Sequence, residues 1–161
     1  MSESPYRHQP PDWTCPFCAI AEGYNVMRLG EVIYADELIL SFINRDWWPN
    51  NPGHVLIVPR QHYENIYDLP FEVSDRIHRL AKRVALGLKA IHGCDGVSTR
   101  QHNEPAGNQE VWHYHLHVFP RYHGDGLYTS QKQLAPTEER LRHAVRLRAY
   151  FEAHPPDLES D

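Results

Sequence analysis

The sequence predicts an α+β fold: an antiparallel sheet of about five strands, one long helix across it and a C-terminal helix. Three observations predict this fold class. Short apolar segments with strand-like alternation follow one another between tight turns. Residues 70–92 instead carry apolar side chains at helical spacing and end before a glycine. Residues 136–153 repeat the helical spacing near the end of the chain.

Composition bounds the class of protein. A chain of 161 residues with a hydrophobic fraction of 41% suits one globular domain with a sizeable core. The formal net charge of −5 argues against a surface for nucleic-acid polymers, because such surfaces need dense Lys and Arg. No apolar run approaches the ~20 residues of a membrane span, and residues 1–11 lack the apolar core of a signal peptide. We therefore expect a cytoplasmic protein, without membrane contact, that handles phosphate only in small molecules.

The chain is predicted to consist of one domain between two flexible ends. Residues 1–14 are predicted to be a flexible N-terminal segment, residues 15–153 a single domain and residues 154–161 a flexible tail. Residues 15–23 indicate a cysteine knuckle and a short helix that ends at Gly23. The sequence contains no internal repeat, and nothing in it predicts a second domain.

Four strands are predicted before the histidine-rich segment, at residues 31–35, 38–43, 54–58 and 97–101. The turn at Asp36-Glu37 joins the first two, and Asn44 stands where the second one ends. Residues 46–53 are rich in turn residues and are predicted to be a loop. The third strand stops at Pro59, because proline lacks the N–H that a strand ladder needs.

Two irregular segments are predicted after the long helix. Residues 103–109 form a glycine-bearing loop that leads into the histidine-rich segment. Loops of this kind can turn main-chain N–H groups toward an anion such as phosphate. Residues 121–134 carry no periodic pattern and are predicted to be irregular.

Residues 112–121 contain three histidines at strict period two, His113, His115 and His117. In a strand with a rise of roughly 3.3 Å per residue, these side chains line one face over about 13 Å, while the apolar residues between them face the core. Imidazole is a nucleophile, a proton carrier near neutral pH and a metal ligand. The three histidines therefore indicate a catalytic or metal-binding site.

The histidine-rich segment resembles the signature of the histidine-triad (HIT) family, His-x-His-x-His followed by apolar residues and Pro-Arg. Three further segments follow the family's order: Phe-Ile-Asn-Arg at 42–45, Pro-Gly-His-Val-Leu-Ile-Val-Pro-Arg at 52–60, and the loop 103–109. Together these segments run over most of residues 15–123. The resemblance implies a HIT-like fold and a homodimer.

The resemblance also implies a nucleotide hydrolase or transferase. The middle histidine, His115, would attack the α-phosphate of a nucleoside polyphosphate, such as a diadenosine polyphosphate, or of a nucleoside phosphoramidate. Water would then hydrolyse the nucleotidyl-histidine. For this role His115 must present one unprotonated ring nitrogen, so the other nitrogen should donate to a main-chain carbonyl. His117 would contact the phosphate as a donor.

The nucleotide-binding residues that the resemblance implies are Phe42, Asn44, Leu56, Asn103, Gly107, Asn108, Gln109 and His117. Phe42 and Leu56 would contact the base and Asn44 the ribose, although Asn44 could instead cap the strand end. The loop is one residue longer than the family's pattern, which leaves its register open. Glu110 stands where some members have a serine, so no leaving-group acid is implied. His54 is interpreted as tying down the Pro-Gly turn before it, with contact to the substrate as the alternative.

Two of the three cysteines form the motif Cys15-Pro16-Phe17-Cys18, which indicates a metal knuckle or a redox pair. The resemblance to zinc-bearing HIT proteins and to galactose-1-phosphate uridylyltransferases implies one structural zinc. Its ligands would be Cys15, Cys18, His62 and His113. Cys94 is interpreted as a small buried residue.

Two alternatives to the nucleotidyl-histidine mechanism remain open. The histidine row could hold a catalytic zinc in a metal-dependent hydrolase. The protein could also be a nucleotide-binding adaptor with little turnover. The sequence leaves open whether the acceptor is water, phosphate or a sugar phosphate.

Overall fold

The computed structural model describes residues 5–23 and 30–156. The helices are α1 (Pro16–Ala21), α2 (Phe71–His92) and α3 (Thr137–Ala153). The strands are β1 (Val32–Ala35), β2 (Ile39–Ile43), β3 (Asp46–Trp47), β4 (Val55–Pro59), β5 (Gly96–Arg100), β6 (Leu116–Arg121) and β7 (Gln133–Leu134). Pro105–Gly107 and Leu127–Thr129 each form one 3₁₀ turn.

Five strands form one antiparallel sheet in the order β1-β2-β4-β6-β5. This confirms the predicted fold class, with one long helix, a C-terminal helix and a sheet of five strands. Of the ends predicted to be flexible, residues 1–4 and 157–161 lie outside the described residues. The Nδ2 of Asn65 donates to the main-chain O of Tyr6, so part of the N-terminal segment contacts the domain.

The long helix α2 lies across one face of the sheet. Its buried stripe, at three- and four-residue spacing, includes Val73, Ile77, Leu80, Val84 and Leu88. The helix ends at Gly93, which has a left-handed φ of 61° and donates its N–H to the main-chain O of Lys89. A left-handed residue at a helix end favours glycine, because any other side chain is strained there.

The two faces of the sheet carry different side chains, as strand alternation requires. Toward α2 the sheet contributes one large apolar core, which includes Ile39, Ile43, Val55, Ile57, Leu116 and Val118. On the opposite face, Leu40, Phe42, Leu56 and Val58 pack with Phe17 and Ile20 of α1. The functional candidates lie on this second face.

Direct register partners form a row across the second face. Phe42 of β2 pairs with Leu56 of β4, Leu56 pairs with His117 of β6, and His117 pairs with Arg100 of β5. Directly paired residues point to the same face, and neighbouring strands lie about 4.8 Å apart. The four residues, called the cross-sheet row below, therefore span about 14 Å from an aromatic ring to a guanidinium.

The strand that carries the three histidines begins later than the sequence predicts. The regular strand of the triad begins at Leu116 instead of Trp112, and Tyr114 donates its main-chain N–H to Tyr63 O at 2.6 Å outside the sheet ladder. The alternation nevertheless persists, because Tyr114 lies in the large core while His113 and His115 contact Phe17 on the other face. The bend before Leu116 lets His113 separate from the other two histidines.

A second sheet was not predicted. Strands β3 and β7 pair with each other, although residues 46–53 were predicted to be a loop and residues 121–134 irregular. Each strand has two residues, which is too short to produce an alternating pattern.

The helix α3 packs against α2 and fixes the outer strand β1. Arg140, 7% exposed, donates through Nε to the Glu31 carboxylate at 2.8 Å, and Glu31 is 0% exposed. Arg148 donates through Nη1 to the main-chain O of Gly30 at 3.0 Å and of Val32 at 2.6 Å. None of the helices in the described ranges combines the length and the apolar character needed to cross a membrane.

Candidate functional site

His115 lies at the entrance to β6 and is 6% exposed. Its Nδ1–H donates to the main-chain O of His113 at 2.7 Å, which is the hydrogen bond expected from the sequence. Burial lowers the pKa of His115 to about 4. The ring is therefore neutral near pH 7 and carries its proton on Nδ1, which leaves Nε2 unprotonated. A neutral imidazole of this kind can act as a nucleophile.

A chain of hydrogen bonds determines which ring nitrogen of His117 carries the proton. Asn44 accepts the main-chain N–H of Arg45 at Oδ1 (2.8 Å) and donates from Nδ2 to Asp46 O (3.0 Å), so the orientation of its amide is determined. The same Nδ2 donates to Nδ1 of His54 at 3.1 Å. Nε2–H of His54 then donates to Nδ1 of His117 at 2.9 Å. The remaining nitrogen of a neutral His117, Nε2, therefore carries a proton and is a donor.

One contact competes with this assignment. Nδ1 of His54 also lies 3.3 Å from Asp46 O, which would suit a proton on Nδ1. The contact from Nδ2 of Asn44 is shorter, and that nitrogen can only donate, so Nδ1 of His54 accepts. Burial lowers the pKa of His54 to about 3 and that of His117 well below 6.5, so both rings are neutral.

These contacts correct one interpretation and limit another. His54 is 0% exposed and contacts His117, so it does more than tie down the Pro-Gly turn. The amide of Asn44, predicted to bind ribose, is used by Arg45, Asp46 and His54 in this structure, as the strand-end alternative requires.

The loop 103–109 is held by its own side chains. Gln109 is buried, accepts the main-chain N–H of Glu104 at Oε1 and donates from Nε2 to the main-chain O of Glu64 and Val111. Asn103 accepts the main-chain N–H of Ile66 at 2.8 Å. Both predicted nucleotide-binding amides thus shape the loop.

The exposed part of this loop is residues 105–108, which include Gly107 and Asn108. Glu104 and Asn108 have positive φ angles of 61° and 66°, a conformation that L residues rarely adopt. Such conformations cost of order 1–3 kcal/mol each and cluster at functional sites. His102 donates from Nδ1 to the main-chain O of Gly107 at 2.7 Å, and its ring lies 6.0 Å from that of His117. The loop therefore lies beside the histidines.

The two residues predicted to contact the base lie in the smaller apolar cluster. Phe42 is 1% exposed and Leu56 is 3% exposed, and Phe17 of α1 packs on Phe42 with ring centroids 5.6 Å apart. Phe17 also contacts the ring of His115 at 5.3 Å. Phe42 and Leu56 are thus buried in this cluster, and Phe17 packs between Phe42 and the ring of His115.

The four predicted metal ligands come together. One ligand atom from each of Cys15, Cys18, His62 and His113 lies within 4.8 Å of the others. Sγ of Cys15 is 3.2 Å from Nδ1 of His113, and Sγ of Cys18 is 3.3 Å from Nδ1 of His62. With Zn–S of about 2.3 Å and Zn–N of about 2.0 Å, tetrahedral ligands are separated by roughly 3.5 Å, so these distances fit zinc.

The chemistry of the ligand set also fits zinc. Nε2–H of His113 donates to the main-chain O of Pro59 at 2.9 Å, which leaves Nδ1 unprotonated toward the sulfurs. Such an outer hydrogen bond is typical of zinc-bound histidine. Burial, with the neighbouring Cys15, raises the pKa of Cys18 to about 12 without a metal, so zinc binding must release a proton.

Comparisons with known proteins find similarity to one family. A family model of the HIT domain matches residues 29–124. An uncharacterized HIT-like protein of Methanocaldococcus jannaschii is 37% identical over 112 residues, which cover 70% of this chain and 82% of that protein. The adenylylsulfatase HINT3 of Arabidopsis thaliana is 26% identical over 133 residues, covering 83% of this chain and 61% of HINT3.

A solved structure is similar over most of its length. The crystal structure of a Zn-bound histidine triad family protein from Mycobacterium smegmatis superposes with a TM-score of 0.72 at 30% sequence identity. The match covers 87% of this chain and 94% of that one.

Proposed function

The chain belongs to the HIT domain family, and from this premise we propose that it is a nucleotide hydrolase acting on acid anhydrides or phosphoramidates. The observation that carries the proposal is the hydrogen bond from Nδ1–H of His115 to His113 O, because it makes Nε2 the available nucleophile. The adenylylsulfatase activity in the name of HINT3 supports the same reaction class.

The reaction has two steps. The lone pair on Nε2 of His115 attacks the α-phosphorus, and the bond from phosphorus to the leaving group breaks with its electron pair on that group. Water then attacks the phosphorus of the nucleotidyl-histidine and loses one proton to solvent, while the P–N bond breaks with its electron pair on Nε2. The nucleoside monophosphate leaves with His115 neutral again. Where the leaving group of the first step is an amine, its proton comes from solvent. Nε2–H of His117 donates to a non-bridging oxygen of the phosphate in both steps. His117 has no other role in the proposed mechanism.

The remaining residues position the substrate. Phe42 and Leu56 are assigned to the base, and Asn44 is assigned to the ribose through a rearrangement of its amide. Asn103, Gly107, Asn108 and Gln109 are assigned to the loop that holds the α-phosphate. The positive φ angle of Asn108 supports a loop whose main-chain N–H groups converge on an anion.

The metal site is assigned to structural zinc held by Cys15, Cys18, His62 and His113. When bound, zinc ties α1 to the segment before β6. The catalytic-zinc alternative finds no support in residues 5–23 and 30–156, where the one cluster of three or more possible ligands excludes His115 and His117. A homodimer is part of the proposal, and light scattering that shows only a species of 18.8 kDa at micromolar concentration would remove it.

A substrate panel tests the function. Diadenosine triphosphate, adenosine 5′-phosphoramidate and adenylyl sulfate should each release AMP, with turnover that survives a chelator under conditions that keep the protein folded. Added phosphate or sugar phosphate should be incorporated if the acceptor is not water. A single-turnover assay with labelled nucleotide that shows binding but no AMP would favour the adaptor alternative.

A further inference from the structure

Arg100 lies at the end of the cross-sheet row, next to His117. Its guanidinium stacks among three aromatic rings, with Cζ 4.9 Å from the centroid of Trp48, 5.5 Å from Phe119 and 6.0 Å from Tyr128. These three rings are called the aromatic cage below. Cation–π contacts at such distances hold a guanidinium in place without neutralising its charge.

The charge of Arg100 has no anionic partner in the described part of the chain. Its Nε is buried and makes no hydrogen bond, and no carboxylate in residues 5–23 or 30–156 forms an ion pair with it. By contrast, Arg121 on the neighbouring strand forms a two-pronged pair with Asp125, at 2.7 and 3.0 Å. A partly buried arginine without a counterion is a ready donor for an anion.

The cage is fixed by the segment after β6. Asp125 accepts the main-chain N–H groups of Tyr122 and Leu127 in addition to the guanidinium of Arg121, which orders the turn that carries Tyr128. Lys132 reaches the other side of the same surface, with Nζ 5.9 Å from the Trp48 ring and 3.3 Å from Glu110. Two cations therefore flank Trp48 beside the histidines.

The order of residues in the cross-sheet row sets the direction of the substrate. If the base lies on Phe42 and Leu56 and the α-phosphate at His117, the group that leaves extends toward Arg100. We propose that Arg100, held in the aromatic cage, binds a negatively charged leaving group, so that the enzyme prefers anhydrides with phosphate or sulfate over phosphoramidates with an amine. This inference rests on the proposed function and names the substrate class within it.

The test compares substrates that share the adenylyl group and differ in what leaves. Arg100→Met keeps the apolar stem in the cage and removes the charge. It should lower kcat/KM for diadenosine triphosphate roughly 10- to 100-fold, the usual effect of losing a charged hydrogen bond, and change kcat/KM for adenosine 5′-phosphoramidate less than about twofold. Arg100→Lys should recover part of the loss.

A matched control uses an arginine that also stacks on aromatic rings but lies on the other face of the sheet. Arg83 lies 4.7 Å from the Phe151 ring and 5.9 Å from the Tyr34 ring, and Arg83→Met should leave both substrates unaffected. Adenylyl sulfate shows which anion Arg100 binds. If Arg100→Met loses equal kcat/KM on adenylyl sulfate and on diadenosine triphosphate, Arg100 accepts either sulfate or phosphate. If the loss is confined to one of the two substrates, Arg100 binds only the anion of that substrate. Equal losses on anhydride and phosphoramidate, or no loss on either, would overturn the inference.

A binding measurement separates this inference from the proposed function. By calorimetry the wild-type protein should bind ADP at least about tenfold more tightly than AMP, and Arg100→Met should abolish that preference. If the protein turns over none of the substrates, the hydrolase proposal fails while the binding preference still decides the role of Arg100. Equal affinities of the wild-type protein for ADP and AMP would contradict the assignment.

Discussion

Nε2 of His54 lies 2.9 Å from Nδ1 of His117, so a fully buried histidine determines which nitrogen of its neighbour carries the proton. Because His54 is inaccessible, it acts through His117 and is a positioning residue. His54→Leu should lower kcat about 10- to 100-fold, as loss of an outer hydrogen bond commonly does. His54→Gln, which can still donate, should recover part of the activity, and the exposed His78→Gln should not change it.

The proton position gives this prediction a second readout. Nitrogen NMR of the wild-type protein should show His117 neutral and protonated on Nε2, and His54→Leu should mix the two tautomers. A His54→Leu protein with wild-type rate and an unchanged His117 spectrum would contradict the relay.

His115→Gly should remove turnover by at least about a thousandfold, because nothing else in the site replaces the imidazole nitrogen. Binding of AMP should change little, since His117 and the loop 103–109 remain. Labelled nucleotide that is stable to base and labile to acid should be trapped on the wild-type protein and absent from the variant. Near wild-type turnover by His115→Gly would exclude this nucleophile.

Cys15→Ser and Cys18→Ser should each lower bound zinc, measured by elemental analysis, from near one per chain to well below it. The melting temperature should fall as well, because structural zinc contributes to folding. Cys94→Ala is the matched control, since Cys94 lies in the large core and should affect stability without changing the zinc content. Unchanged zinc in both knuckle variants would remove the assignment.

His92 and His143 form a half-buried pair, with Nε2 and Nδ1 3.1 Å apart, and Arg146 faces both while Arg142 faces His143. Burial lowers the pKa of each from 6.5 to about 4. Below pH 6.5 the unfolded chain thus binds protons that the folded chain does not, so stability should fall as pH drops toward 4.

The slope from each of these histidines should be well below the limit of about 1.4 kcal/mol per pH unit, because solvent screens the pair. Urea unfolding at pH 7.5, 6.0 and 4.5 measures it, and His92→Gln/His143→Gln should flatten the acid limb. Other buried histidines contribute equally to both proteins, so the difference isolates the pair. Parallel curves for the two proteins would contradict the assignment.

Arg140→Ala should destabilise the protein by about 1.5–3 kcal/mol, because it removes a charged hydrogen bond from the buried Glu31 carboxylate. Arg142→Ala removes an exposed pair with Glu138 on the same helix and should cost less than about 0.5 kcal/mol. Denaturant titrations of both variants provide the comparison.

The sequence predicted the five-stranded sheet and both long helices, because alternation and helical spacing report burial directly. It could not predict β3 and β7, whose pairing depends on tertiary contacts between residues far apart in the chain. The four residues of the knuckle were predicted, yet the hydrogen bond from Tyr114 N–H to Tyr63 O, outside the sheet ladder, is encoded by no local pattern.

The part of the site that the sequence analysis missed is the cross-sheet row. A single arginine in a predicted strand does not indicate a functional site. Arg100 becomes a candidate only because it pairs with His117 in the register of the sheet. His54 was visible as a histidine before a strand, but its contact with His117 required the strand order. The spacing of the histidines identified the strand that carries the candidate catalytic residues. The register of the neighbouring strands identified the residues beside them.

The two hydrogen bonds from Arg148 to Gly30 and Val32 have a consequence for association between chains. Strand β1 is an outer strand, and its outward carbonyls would otherwise be acceptors for a strand of another molecule. A guanidinium already occupies them, so extension of the sheet at this side would first have to displace a charged side chain. Arg148 thus occupies two of the acceptors that edge-to-edge pairing at this side of the sheet would need.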